Sequence, residues 1–136
     1  STEYMQGVRA LCDEFGIVYI ADEVMAGFRR SGRWVPLEHF GVVPDPVGFA
    51  KGVNPGYVPL GGGASSDAPL ANFADVAYPG GLTYSGHPLA CAAAVATITA
   101  MEDEGMVENA AHLGEAVVGP RLREFAARGC SGRSTS

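Results

Sequence analysis

The chain has 136 residues, of which 47% are hydrophobic and 18% charged, the size and balance of one ordinary globular domain, and disorder throughout is excluded. Nine Lys and Arg against 15 Asp and Glu give a net charge of −6, and no basic run exists to neutralise a line of phosphates, which argues weakly against a nucleic-acid surface. No apolar run reaches the length of a membrane span and no signal-peptide pattern opens the chain, so the expected setting is cytoplasmic and away from membranes.

In chain order, Thr2 and Glu3 precede an amphipathic run in which Met5, Val8, Leu11, Cys12 and Phe15 recur at helical spacing, with Gly16 as its left-handed stop. Ile17-Val18-Tyr19-Ile20-Ala21 is a continuous apolar, largely β-branched run. It predicts a strand covered on both faces, as in a parallel sheet, and it leads directly into Asp22-Glu23. The stretch from Gly27 to Pro46 is rich in loop formers, with Trp34 and Phe40 as packing anchors. Val47-Gly48-Phe49-Ala50 then delivers Lys51, and Tyr57 to Ser65, containing Gly61-Gly62-Gly63, reads as another strand. Asp67 is placed as the N-cap of a short helix reaching about Phe73, and 78–86 is turn-rich. Pro88 opens a helix to about Glu104, with Gly105 as its stop and a small-residue face of alanines for close packing. A last helical pattern covers Val107 to Arg128, with Leu113, Val117, Leu122 and Phe125 as its buried side and Pro120 as a kink or break. The order reads as an α/β fold with parallel strands packed by helices.

Cys12, Cys91 and Cys130 are odd in number and far apart, and His39, His87 and His112 lack ligand spacing. Neither a disulfide framework nor a metal site is indicated, and the thiols read as reduced and mostly buried. The groups left to carry chemistry are Asp22, Glu23, Lys51 and the Thr83-Tyr84-Ser85 turn. Asp22 and Lys51 each end an apolar run. In one parallel sheet both emerge at the carboxyl edge, where open α/β sheets bind ligands. A desolvated lysine is a nucleophile toward aldehydes, and an aspartate beside a pyridine nitrogen keeps it protonated. Taken singly, each residue has a plainer reading: Lys51 as a strand-end surface charge, Asp22-Glu23 as capping groups, Thr83 and Ser85 as turn formers.

The wording of three segments goes further. Ile20-Ala21-Asp22-Glu23-Val24-Met25-Ala26-Gly27-Phe28, Phe49-Ala50-Lys51-Gly52, and Gly81-Leu82-Thr83-Tyr84-Ser85-Gly86-His87-Pro88-Leu89-Ala90-Cys91-Ala92-Ala93-Ala94 closely resemble the class-III (ω-amino acid type) aminotransferases, in the family's order and from about Met5 to Arg128. The resemblance implies a partial large domain of the aspartate-aminotransferase-like, pyridoxal 5'-phosphate (PLP)-dependent fold. Residues 1–104 would belong to the PLP-binding domain, 105–130 would be a helix leading toward a carboxyl-terminal small domain, and 131–136 a tail. It implies Lys51 as the Schiff-base lysine and proton carrier, Asp22 as the partner of the pyridine nitrogen, and Val24 as a side chain packed on the ring. Thr83 would be the hydroxyl that reaches a partner subunit's cofactor phosphate in a homodimer, and Glu23 is given no more than an orienting role. The implied activity moves an amino group from an amino acid or amine to a keto acid such as pyruvate. A non-catalytic truncated homologue and a related PLP enzyme, an aminomutase or decarboxylase, stand as alternatives.

Two positions depart from the family wording. Met25 stands where many members have Gln, and Arg29 where a Gly-Phe-Gly-Arg-Thr-Gly pattern has its second glycine, a change expected to alter a loop near the substrate entrance. The family's amino-terminal phosphate loop and its carboxyl-terminal substrate arginine are not found in these residues. A fragment, inactive by itself, is the expectation.

Overall fold

A computed structural model describes residues 1–128. Helix α1 (Thr2–Phe15) starts on Ser1, whose hydroxyl accepts the Tyr4 N–H at 3.4 Å, and ends at Gly16 with φ 63°. That left-handed conformation costs glycine nothing and turns the chain sharply toward the sheet.

The sheet has three strands in the order β1 (Ala21–Asp22), β2 (Pro46–Phe49), β3 (Gly62–Ser65). β1 and β2 are parallel, with Ala21 opposite Val47 and Asp22 opposite Gly48. β3 runs antiparallel to β2, pairing Pro46 with Ser65 and Phe49 with Gly62. The sheet is therefore mixed, where the sequence reading expected parallel strands. The reason is local: β3 returns from β2 through 50–61 without a crossover helix, and a parallel return requires one.

β1 is also shorter than the apolar run predicted. Only Ala21 and Asp22 pair, while Ile17, Val18 and Ile20 are exposed, because no second strand lies beside them among the described residues. The core that does form is small. Ala21, Leu37 and Val42 are buried at its centre, with Met5, Tyr19, Val35, Phe40 and Val47 around them. Asp45 ties its layers together: its carboxylate accepts the Tyr19 N–H at 2.7 Å and a guanidinium N–H of Arg9 on α1 at 3.0 Å, while its own N–H donates to the Tyr19 carbonyl. Those bonds hold the Asp45 carboxyl below its usual range.

Beyond β3, Ser66 is the N-cap of the short α2 (Asp67–Leu70), and Asp67 is its first residue rather than the cap. Helix α3 (Pro88–Asp103) follows, with Ala90, Ala94 and Met101 buried along one side as the small-residue face anticipates. The last helical stretch is broken into α4 (Met106–His112), a wide π turn (Leu113–Val118) and α5 (Gly119–Ala127). Leu113, Val117, Leu122 and Phe125, expected to be its buried side, are exposed, because no layer covers that face among the described residues. Cys12 is half-buried and Cys91 exposed, against the expectation of mostly buried thiols; Cys130 and the 131–136 tail lie outside the described residues. Among the described residues no helix is long and apolar enough to cross a membrane.

Candidate active site

Parallel pairing of β1 and β2 sends the residues that follow both strands to the same edge of the sheet. Asp22 is the last residue of β1 and is exposed; its Oδ1 accepts the Val24 N–H at 3.1 Å, an Asx-type turn that redirects the chain out of the strand. β2 ends two residues before Lys51. The Lys51 N–H donates to the Val24 carbonyl at 3.2 Å, and the Glu23 N–H donates to the Gly48 carbonyl at 2.8 Å. The main chain of Lys51 is thus pinned to the Asp22–Val24 turn while its side chain stays exposed.

Lys51 opens onto a cavity of about 1180 Å³. Ala50, Lys51 and Asn54 line it together with Leu82, Thr83, Tyr84, Ser85 and Gly86. The latter segment is a closed turn: the Ser85 N–H donates to the Leu82 carbonyl, the Leu82 N–H to Ser85 Oγ, and the His87 N–H to the Tyr84 carbonyl. Gly86 has φ 69°, so this turn uses glycine where a side chain would be strained, and α3 starts immediately after it. The fold therefore brings Lys51 and Thr83 to one cavity. Asp22 and Val24 are not among the residues that line it; they connect to Lys51 through the backbone.

The sequence reading missed Asn54 and the burial of Glu23 and Arg29. Glu23 is 7% exposed, and burial, with Asp22 as a lesser contributor, pushes its carboxyl above the usual range. Asn54 is 4% exposed and donates from Nδ2 to the Ala90 carbonyl at 3.0 Å, while its Oδ1 is buried without a partner among the described residues. Arg29 is buried as well, not turned out to a solvent entrance as a loop arginine would be. Its φ is 75°, which accounts for glycine being comfortable at that position: a residue with a Cβ is strained in the left-handed region, at roughly 1–2 kcal/mol. No sequence pattern signals the burial of these three side chains, since each is polar and the surfaces that cover them come from distant segments.

The chain matches the class-III aminotransferase family over residues 1–129. It is 43% identical over 130 residues to the 5-aminovalerate aminotransferase DavT of Pseudomonas aeruginosa, covering 94% of this chain and 29% of that protein. The acetylornithine aminotransferase of Archaeoglobus fulgidus is 42% identical over 122 residues, 90% of this chain and 32% of the relative. Among solved structures, the taurine:2-oxoglutarate aminotransferase of Bifidobacterium kashiwanohense, in complex with PLP and glutamate, superposes with a TM-score of 0.83 at 46% identity, over 92% of this chain and 28% of that one. The chain spans about a third or less of the length of these relatives. The family match over residues 1–129, together with relatives 42–46% identical over at least 90% of this chain, shows that the chain belongs to the class-III aminotransferase family.

Proposed function

We propose that this chain forms the lysine-bearing part of a PLP-dependent transaminase, with Lys51 as the Schiff-base lysine. The observation that carries the reading is Lys51 at the carboxyl edge of the parallel pair β1–β2, its main chain locked to Val24 beside the Asp22 turn and its side chain open to a cavity. The residues suit the cofactor. The cavity onto which the Lys51 amine opens, about 1180 Å³, is ample for a substituted pyridine ring. When bound, PLP supplies the electron sink that stabilises charge on the substrate carbon during amino transfer.

The resemblance to the family supplies the roles of the chain's own groups. Lys51 Nζ would hold the cofactor through its aldehyde and would move the proton during amino transfer. Asp22 would keep the ring nitrogen protonated; its Oδ1 accepts the Val24 N–H, which restrains the carboxylate. Val24 would pack on the ring, and the Thr83 hydroxyl would serve a phosphate, in the homodimer that of a partner subunit. Residues 1–104 would then belong to the cofactor domain and 105–130 would lead toward a small domain. The activity assigned to the whole enzyme, a cytoplasmic one, is transfer of an amino group from an amino acid or amine to a keto acid such as pyruvate.

Mixing the purified chain with PLP tests the reading. A visible absorption band from the lysine–cofactor linkage is expected, and Lys51→Ala abolishes it. An intact chain that shows no such band overturns the cofactor assignment for these residues.

A further inference from the structure

We infer that Arg29 is a positioning residue for Lys51, clamping the turn on which Lys51 rests to the carboxyl end of α3; this rests on the reading of Lys51 as the cofactor lysine. Arg29 is 5% exposed. Its guanidinium carbon lies 3.6 Å from the centre of the Trp34 ring, Nη1 donates to the Met101 carbonyl, and Nη2 is 3.9 Å from a Glu102 carboxylate oxygen. Met101 lies in the last turn of α3, where carbonyls lack helical partners and carry partial negative charge. A buried guanidinium over an aromatic face is well matched to that end.

The other side of the same turn touches the lysine. The Phe28 N–H donates to the Trp34 carbonyl at 3.0 Å and the Arg29 N–H to the Arg33 carbonyl at 3.2 Å, which closes the loop around Arg29. A Cβ placed on Gly52 would fall 2.5 Å from the Phe28 Cβ and 2.9 Å from the Gly27 carbonyl oxygen, so the residue after Lys51 lies directly on Arg29's neighbour. Contact therefore runs without a gap from Met101 through Arg29 and Phe28 to Gly52 and Lys51. At its amino end, α3 is held to the same segment by the bond from Asn54 Nδ2 to the Ala90 carbonyl. Anchoring the Lys51 segment near both ends of this helix fixes the main chain that carries the lysine relative to α3.

Glycine at position 29 relaxes the strained backbone and deletes the clamp, so stability and positioning should part in Arg29→Gly. The experiment measures amide hydrogen exchange and PLP binding for the 136-residue chain, Arg29→Gly and Arg29→Lys. In Arg29→Gly, exchange at the Lys51 and Phe28 amides should quicken by about tenfold while α1 amides and the thermal midpoint hold. The PLP dissociation constant should rise by about tenfold, an amount readily resolved by titration. Arg29→Lys should recover part of both. Unchanged exchange at Lys51 overturns the inference, and so does uniformly faster exchange with a lowered midpoint, which marks a merely structural residue. A parent chain without the visible PLP band defeats the cofactor reading instead, and the exchange measurements then decide the role of Arg29 alone.

Discussion

Glu23 illustrates how a single side chain can work against the fold that carries it. The residue is buried at the end of β1, beside Asp22, and its carboxylate makes no hydrogen bond among the described residues. Its folded-state affinity for a proton exceeds its unfolded one, so its contribution is intact below the unfolded pKa and is lost as pH rises through the folded pKa. Above that range an ionised group sits partly desolvated, with Asp22 beside it. Glu23→Gln should therefore raise the thermal midpoint at neutral pH, and the two midpoints should converge below about pH 4, where carboxyls are neutral. Equal midpoints at neutral pH would show that the carboxylate finds a compensating partner when ionised. At this scale Lys51, Asp22 and Thr83 stand out as candidates because their neighbours in sequence are distinctive. Glu23, Arg29 and Asn54 were not, since their burial depends on which segment lies over them.

At the scale of elements, local chemistry is read most directly where one residue forces the geometry. Gly16, with φ 63°, stops α1 where the sequence expects, and Pro88 opens α3 at the predicted position. Pro120 breaks the last helix, but by a π turn over Leu113–Val118 rather than a simple kink. Proline lacks an N–H and its ring collides with the carbonyl four residues back, and widening the preceding turn moves that carbonyl aside. Pro120→Ala should let the segment relax into one continuous α-helix, with stronger far-ultraviolet helical dichroism and a gain of up to about 3 kcal/mol in stability. Unchanged dichroism would assign the π turn to its glycines, Gly114 and Gly119. The direction of β3 was harder to foresee. A glycine-rich strand carries little pattern to set its partner or orientation, and the return through 50–61 decided both.

For the molecule as a whole, the apolar surface left in water is the dominant fact. Tyr4, Leu11 and Phe15 on α1, and Ile17, Val18 and Ile20 before β1, are all exposed, as are Leu122 and Phe125 on α5. Contiguous patches of this kind drive association. The purified chain should self-associate with rising concentration in sedimentation velocity and bind a hydrophobic dye; a dye-silent monomer at about 100 μM would contradict this. Relatives that are three or more times as long share the same local fold over these residues.

The sequence by itself determined the family, the end of α1 at Gly16 and the start of α3 at Pro88, because a capping glycine, a proline and the three motif blocks act through near neighbours in the chain. Only the tertiary structure decided the mixed sheet, the shared cavity of Lys51 and Thr83, and the burial of Glu23, Arg29 and Asn54. Those features depend on contacts between segments distant in sequence, such as Arg29 with Met101 and Asn54 with Ala90, and such pairings leave no periodicity along the chain.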